Sequence, residues 1–227
     1  MSKKNNMTEV YHYRRIDTLV DPDRYSNCTT SYQTILRFIA TVHQLKKFKG
    51  SHLDVGCGDG VLSQVFSDNG WASSGVDISD GVNFETDSLP FKSVSFDLVT
   101  LYGVIEHIAD PDNIFKEVKR VLRPDGICVM ITTNVKMSGM SFYDDPDHKK
   151  PYTPKGLSWL AEMYGFQDVK VGLWTVGKPS GLWKIPMGLQ ELLGVLIPFE
   201  GRNKYLPNFL KGRSRTMICA FRNHADG

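Results

Sequence analysis

LDVGCGDG, residues 53–60, sets three glycines and two aspartates in eight positions directly after an apolar run. Without Cβ atoms, Gly56, Gly58 and Gly60 let the chain bend sharply and bring backbone amides against a ligand. HLDV (52–55) reads as a strand, and VLSQVFSDNG (61–70) carries the apolar spacing of a helix that Gly70 can stop. A strand, a glycine turn and a helix together begin a β-α-β unit and bind one of two ligand classes, dinucleotides or adenosyl compounds. The dinucleotide fingerprint is G-x-G-x-x-G. Here Val61 stands where its third glycine would be, and Asp54 and Asp59 would repel a pyrophosphate while tolerating an amino-bearing or cationic ligand. Asp77 lies 21 residues after Gly56, at the end of ASSGVDI, where an acid accepts hydrogen bonds from ribose hydroxyls in either ligand class.

Outward from this turn the chain alternates short apolar runs with helical patterns, which predicts a largely parallel sheet. Further strands are expected at VNFE (82–85), FDLVTLY (96–102), GICVMITT (126–133), DVKVGLW (168–174) and RTMICAFR (215–222). Asp110 and Pro111 read as N-cap and first residue of a helix, and Thr153-Pro154 as the start of another that Gly165 closes. The first 50 residues hold a helix, about TTSYQTILRFIATVHQLKKF, expected to pack on the core. Residues 51–227 form the main domain, with an insertion at about 177–213 that is long for a connection inside a compact domain.

The 227 residues suit one domain, and 41% hydrophobic with 23% charged residues suits a soluble globular chain. A net charge of +2, spread along the chain, gives no basis for nucleic-acid binding. The four cysteines, Cys28, Cys57, Cys128 and Cys219, form no CxxC pair, so neither a zinc site nor a disulfide framework is expected, and a cytoplasmic setting follows. The polar start MSKKNNMTEV lacks the apolar core of a signal peptide, and GLQELLGVLIPF (188–199) is too short and interrupted to span a bilayer.

These stretches resemble the class I S-adenosylmethionine-dependent methyltransferases. LDVGCGDG is similar to their first motif, GVDIS to their acidic second motif, DSLPFKSVSFDLVTLYGVIEHIADP to the segment around their fourth strand, and LRPDGICVMITT to the entry of their fifth. The resemblance covers residues 51–133 in the family's order. It implies a Rossmann-like three-layer α/β sandwich whose seven-stranded sheet is mostly parallel with an antiparallel last strand. It also implies S-adenosyl-L-methionine as cofactor and S-adenosyl-L-homocysteine as product. By the same resemblance, backbone at Gly56, Cys57 and Gly58 lies against the methionine part, Asp54 binds its amino group directly or through water, and Asp77 holds the ribose. Ile78 lies against the adenine, Glu85 meets the adenine amine with Asp87 as rival, and Tyr102 borders the transferred methyl.

For the chemistry, histidine suits proton removal from an acceptor hydroxyl at neutral pH. His107 follows the fourth strand of the family's order, beside Glu106. Some quinone-biosynthesis O-methyltransferases that share this segment are thought to bind a divalent metal with an extra acid three positions before the Glu, which is Gly103 here, so no metal is expected. DDPDHKKPYTP (144–154) is similar to a segment of methyltransferases associated with glycan and cell-surface polysaccharide synthesis, and makes His148 a second candidate base, oriented by a neighbouring acid. Lys149 and Lys150 suit a phosphate on an activated sugar or plain solvation. The acceptor is thus expected to be a small or a glycan- or lipid-linked molecule, with oxygen as the methylated atom. The insertion reads as an amphipathic cap, with a substrate lid, a dimer surface or peripheral membrane contact as alternatives. A non-catalytic adenosyl-binding scaffold and an NAD-dependent oxidoreductase are the rival functions.

Overall fold

The computed structural model describes residues 23–45, 48–174, 180–197, 199–200 and 211–224, with 199–200 and 211–213 as backbone only. A helix α1 (Arg24–Val42) precedes the first strand, β1 (Ser51–Val55). Then come α2 (Val61–Asp68), β2 (Ala72–Val76), β3 (Phe96–Tyr102), α3 (Asp112–Val121), β4 (Leu122–Thr133), the short α4 (Val135–Ser138), α5 (Pro154–Met163) and β5 (Gln167–Leu173). A helix α6 (Met187–Leu196), a small pair β6 (Phe199–Glu200) and β7 (Lys211–Arg213), and β8 (Thr216–Arg222) complete the order.

Among the described residues the main sheet has six strands in the order β2-β1-β3-β4-β8-β5. The first four are parallel, and β8 runs antiparallel between β4 and β5. The expected fold class stands; the expected seventh strand does not. VNFE (82–85) forms turns, because the Asn83 side chain accepts from the Glu85 amide at 3.0 Å and Asp87 accepts from the Asn83 amide at 2.9 Å. Short polar side chains that bond nearby backbone compete with strand pairing.

Alternation along the central strands divides the core into two layers, as a sheet buried on both faces requires. In β4, Cys128 and Met130 join Ile114, Phe115 and Val118 of α3 and Leu157 of α5 on one face. Ile127, Val129 and Ile131 join Ile35, Phe38 and Ile39 of α1 and Val65 and Phe66 of α2 on the other. All these side chains are fully buried.

Helix ends follow their sequence signals to within a few residues. Thr153 Oγ1 accepts from the Gly156 amide at 3.0 Å to cap α5, with Pro154 in the first turn. The helix after Pro111 starts one residue later than its sequence suggests: Pro111 is the cap, and Asp110 accepts from the Asp112 amide at 3.1 Å. α1 begins five residues earlier than expected and ends at Val42; Lys46 and Lys47 of the expected helix lie outside the described residues. No helix among the described residues is long and apolar enough to cross a membrane.

Candidate functional site

The parallel strands all end on one edge of the sheet, and the loops after β1, β2, β3 and β4 gather there. Order reverses at β1 and β3, and ligands of open α/β sheets bind outside such a switch point. Gly56, Gly58 and Gly60 all have positive φ, 75°, 54° and 76°. At Gly56 a Cβ would also meet Val104 Cγ2 at 2.3 Å, so this glycine lets the loop after β1 lie against the loop after β3. The Gly56 amide donates to Val76 O at 2.7 Å, and the Gly58 amide to Asp77 Oδ2 at 3.0 Å. Asp77 thus holds the glycine turn while its other oxygen accepts from the Ser79 amide at 3.0 Å. Ile78 beside it is 47% exposed, an apolar surface open to a flat ring.

Beneath the turn lies a buried polar chain. Thr100 Oγ1 donates to Asp54 Oδ1 at 2.8 Å and meets His52 Nε2 at 2.9 Å, while His52 Nδ1 meets Ser73 Oγ at 2.8 Å. A hydroxyl has one proton, so Thr100 accepts from His52 Nε2–H and His52 Nδ1 accepts from Ser73. Burial pushes His52 down to about 3 and keeps it neutral, stacked on Phe66 at 3.7 Å. Burial likewise pushes Asp54 up to about 7, opposed by the Thr100 and Ser63 hydroxyls and by the Arg24 charge. The Cys57 thiol is pushed up to about 12 by burial and the neighbouring Asp54, Asp77 and Asp80, which makes it an unreactive lining group.

Asp59 does not face a ligand as an unpaired acid. Arg24, from the start of α1, donates to both its oxygens at 2.8 and 3.2 Å. Burial is the largest single influence and works against the Asp59 charge, but the Arg24 hydrogen bond, the Val61 amide and the Arg24 charge together outweigh it and hold the carboxyl below its ordinary value. Arg24 therefore ties α1 to the glycine turn, and Tyr102, 40% exposed at the end of β3, lies near enough to act on its charge. The Tyr102 ring packs on Trp174 at 5.7 Å.

Glu85 and Asp87 are both engaged within the protein. Glu85 Oε1 accepts from the Ala109 amide at 3.1 Å and from Lys149 Nζ at 2.9 Å, and the lysine holds its pKa down. Asp87 accepts from the Asn83 amide and the Thr86 hydroxyl. Lys149, one of two candidate phosphate binders, is thus paired with Glu85.

The two candidate histidines meet. Their ring centroids lie 4.9 Å apart, although 41 positions separate them in the chain. Glu106 and His107 form a short 3-10 turn after β3 (Ile105–His107), and the amides of Lys149 and Lys150 donate to Glu106 O at 2.8 and 3.1 Å, docking the second loop on the first. His107 Nδ1 faces Asp147 O at 3.1 Å and His148 Nδ1 faces Phe142 O at 2.6 Å. A carbonyl can only accept, so each Nδ1 carries a proton and a neutral ring keeps its lone pair on Nε2. The expected orienting acid is not what fixes His148: Asp145 Oδ2 lies 3.9 Å from Nε2, and the Phe142 carbonyl and ring hold it instead. Glu106 is 4% exposed, with Oε2 accepting from the Thr132 hydroxyl at 2.8 Å.

A family model described as a methyltransferase domain matches residues 27–171, more than half of the chain. The chain belongs to the class I S-adenosylmethionine-dependent methyltransferases. Members of that class take S-adenosylmethionine as methyl donor, and the match speaks against the dinucleotide reading of the glycine turn. A curated relative, the ubiquinone biosynthesis O-methyltransferase of Coxiella burnetii, is 28% identical over 112 residues, covering 41% of this chain and 48% of that protein. The chain spans about half the length of the curated relatives it matches. Among solved structures, an S-adenosylmethionine-dependent methyltransferase from Archaeoglobus fulgidus has a TM-score of 0.52 at 19% identity, over 85% of this chain and 94% of that one. Phosphoethanolamine N-methyltransferase 2 of Haemonchus contortus, solved with S-adenosyl-L-methionine, has a TM-score of 0.51 at 16% identity, over 92% and 60%. These structures share the fold.

Sequence reasoning missed Arg24, His52 and Thr100. The signal for the buried pair was present in S-H-L-D-V, where His52 and Asp54 alternate with Leu53 and Val55 and so share one face of a strand. Nothing local marks Arg24, whose partner is 35 positions away.

Proposed function

We propose that the chain moves the methyl group of S-adenosylmethionine onto an oxygen of a small or glycan-linked acceptor. The observation that carries this reading is the pair of imidazoles, each with Nε2 as its lone-pair atom, beyond Tyr102 at the sheet edge that also holds the glycine turn. In the transfer the acceptor oxygen attacks the methyl carbon, the carbon–sulfur bond breaks and S-adenosylhomocysteine leaves. The hydroxyl proton passes to Nε2 of His148, with His107 as the alternative base. On the donor side the backbone of Gly56, Cys57 and Gly58 takes the methionine part and Asp54 its amino group. Asp77 takes the ribose, Ile78 the adenine face, Glu85 or Asp87 the adenine amine, and Tyr102 the rim of the methyl.

Oxygen as acceptor is supported by the name of the Coxiella relative, and a glycan by the likeness of residues 144–154 to glycan-linked enzymes. We read residues 177–213 as a cap on the acceptor side of a domain spanning 51–227, with residues 1–50 packed on it. Lys136 of α4 reaches Glu191 of α6 at 3.3 Å, which supports that placement. A cytoplasmic setting fits four free cysteines, three of them buried.

Titration calorimetry with S-adenosylmethionine and S-adenosylhomocysteine tests the donor site, and a product screen over nucleotide sugars, lipid-linked sugars and quinone precursors tests the acceptor. His148→Ala should lose turnover while keeping cofactor affinity. Loss confined to His107→Ala would move the base to that residue. Cofactor binding with no methyl transfer to any acceptor would favour a non-catalytic scaffold.

A further inference from the structure

We propose that Glu106, His107 and His148 form a two-histidine, one-carboxylate site for a divalent transition-metal ion on the acceptor side of the cofactor cleft. One potential ligand atom from each of the three lies within 4.8 Å of the others. A metal about 2.1 Å from each would hold those atoms roughly 3–3.5 Å apart, so closure needs a contraction of up to about 1.3–1.8 Å. Side chains on two docked loops can supply that.

Three features favour a cation over a plain hydrogen-bonded cluster. Both imidazoles are held by Nδ1–H donation to a backbone carbonyl, the outer contact that fixes a ligating histidine with Nε2 turned to the metal. Glu106 is 4% exposed and forms no ion pair with a lysine or arginine among the described residues, and a buried carboxylate is costly without an opposite charge. Lys149, whose amide docks on Glu106 O, sends its ammonium to Glu85 at 2.9 Å instead. Thr132 donates to Glu106 Oε2 at 2.8 Å and so sets the carboxylate plane, as outer partners of metal-binding acids do.

Gly103 explains why the third ligand comes from another loop. Its φ is 66° and its amide donates to Ile131 O at 2.9 Å, so the chain leaves β3 in a left-handed conformation that a side chain there would strain. No acid projects from that position, and His148 closes the set from the loop before α5 instead. Replacing a carboxylate by an imidazole changes the choice of metal: two nitrogens and one oxygen favour Zn²⁺, Fe²⁺, Co²⁺ or Ni²⁺ over Mg²⁺ and Ca²⁺, which prefer oxygen. A metal in this place would have open positions toward the acceptor and would polarise an oxygen entering them.

The inference shares its two histidines with the proposed function but uses them differently: with a metal on both Nε2 atoms neither imidazole could take the acceptor proton. The metal would instead ease its loss to water by polarising the bound oxygen, so metal uptake is tested apart from methyl transfer. The test titrates Co²⁺ and Zn²⁺ into the full chain stripped with a chelator, followed by visible absorption for Co²⁺ and calorimetry for Zn²⁺. One saturable site is expected, with Mg²⁺ unable to compete. Affinity should fall at least tenfold in Glu106→Gln and in His148→Gln, with circular dichroism and S-adenosylmethionine affinity unchanged. No saturable uptake by the folded wild type would overturn the proposal, as would variants that bind as tightly as the wild type. Methyl transfer that persists in chelator-treated, metal-free protein would leave the proposed function standing. Metal uptake with no methyl transfer in either the metal-loaded or the metal-free protein would leave the metal site standing and the proposed function refuted.

Discussion

Asp54 sits at the junction of fold and chemistry. Burial pushes its carboxyl up to about 7, above the ordinary carboxylate value, so the fold carries a penalty when it ionises. That penalty is absent below the ordinary carboxylate pKa, grows as pH rises toward about 7 and is complete above it. A cofactor ammonium placed against Asp54 favours the charged form, and α-amino groups remain protonated below pH ~7.7. Binding near pH ~6 should therefore release on the order of one proton, measured by calorimetry in buffers of different ionisation enthalpy. Asp54→Asn should release none; heats independent of buffer in the wild type would contradict the contact. Thr100→Val would leave the Asp54 and His52 groups short of a partner and should cost about 1–3 kcal/mol, read by urea unfolding. At Gly56 the added Cβ of Gly56→Ala meets Val104 Cγ2 at 2.3 Å on a backbone with φ 75°. The cost should be about 1–3 kcal/mol, with weakened cofactor binding. Adding Val104→Ala should recover the steric part and leave the backbone part, and a double variant no better than the single would refute this division.

At the scale of elements, α1 and the insertion brace the sheet from outside the recognisable motifs. Arg24 ties the start of α1 to the glycine turn through Asp59, with the arginine side chain 38% exposed and the acid 1%. Its half-open position limits its worth to about 1 kcal/mol of stability. Arg24→Ala should accordingly weaken cofactor binding more than it lowers the unfolding midpoint, and the reverse order would make Arg24 a purely structural brace. Trp183, 6% exposed, donates from Nε1 to Leu173 O at 2.9 Å and packs edge-on against Phe38 of α1. Trp183→Ala should cost about 3–5 kcal/mol in urea unfolding. A small change would mean that the short 3-10 turn Ser180–Lys184 is not anchored to the sheet. Gln190 of α6 works alongside it, accepting from the Leu173 amide at 3.1 Å. Leu189, Leu192, Val195 and Leu196 of the same helix are exposed, so α6 buries its polar Gln190 against the edge strand and turns apolar residues outward. An amphipathic reading of the sequence expects the opposite orientation, since periodicity cannot say which face a neighbour will cover.

For the whole molecule, the cofactor should act as a stabilising ligand. At ~100 times its Kd, S-adenosylmethionine adds about 2.7 kcal/mol to the folded state. For a chain of this size that raises Tm by roughly 5–10 °C. Asp77→Ala should lose most of the shift, because Asp77 both holds the Gly58 amide and is the proposed ribose acceptor. A full shift in that variant would contradict its role. The sequence by itself determined the α/β class, the glycine turn after the first strand and the acid at Asp77 that ends the second, because strand and helix periodicity, left-handed glycines and short loop spacings are local properties of the chain; that Asp77 also holds the turn through the Gly58 amide came from the structure. It misjudged VNFE, where an apolar pair resembles a strand until Asn83 and Asp87 capture the backbone. Only the tertiary structure brought Glu106 and His107 against His148, Arg24 against Asp59, and His52 through Thr100 to Asp54. These meetings join residues 35 to 48 positions apart. They are set by how parallel strands bring their ends to one edge and how side chains share a buried face, which no local pattern encodes.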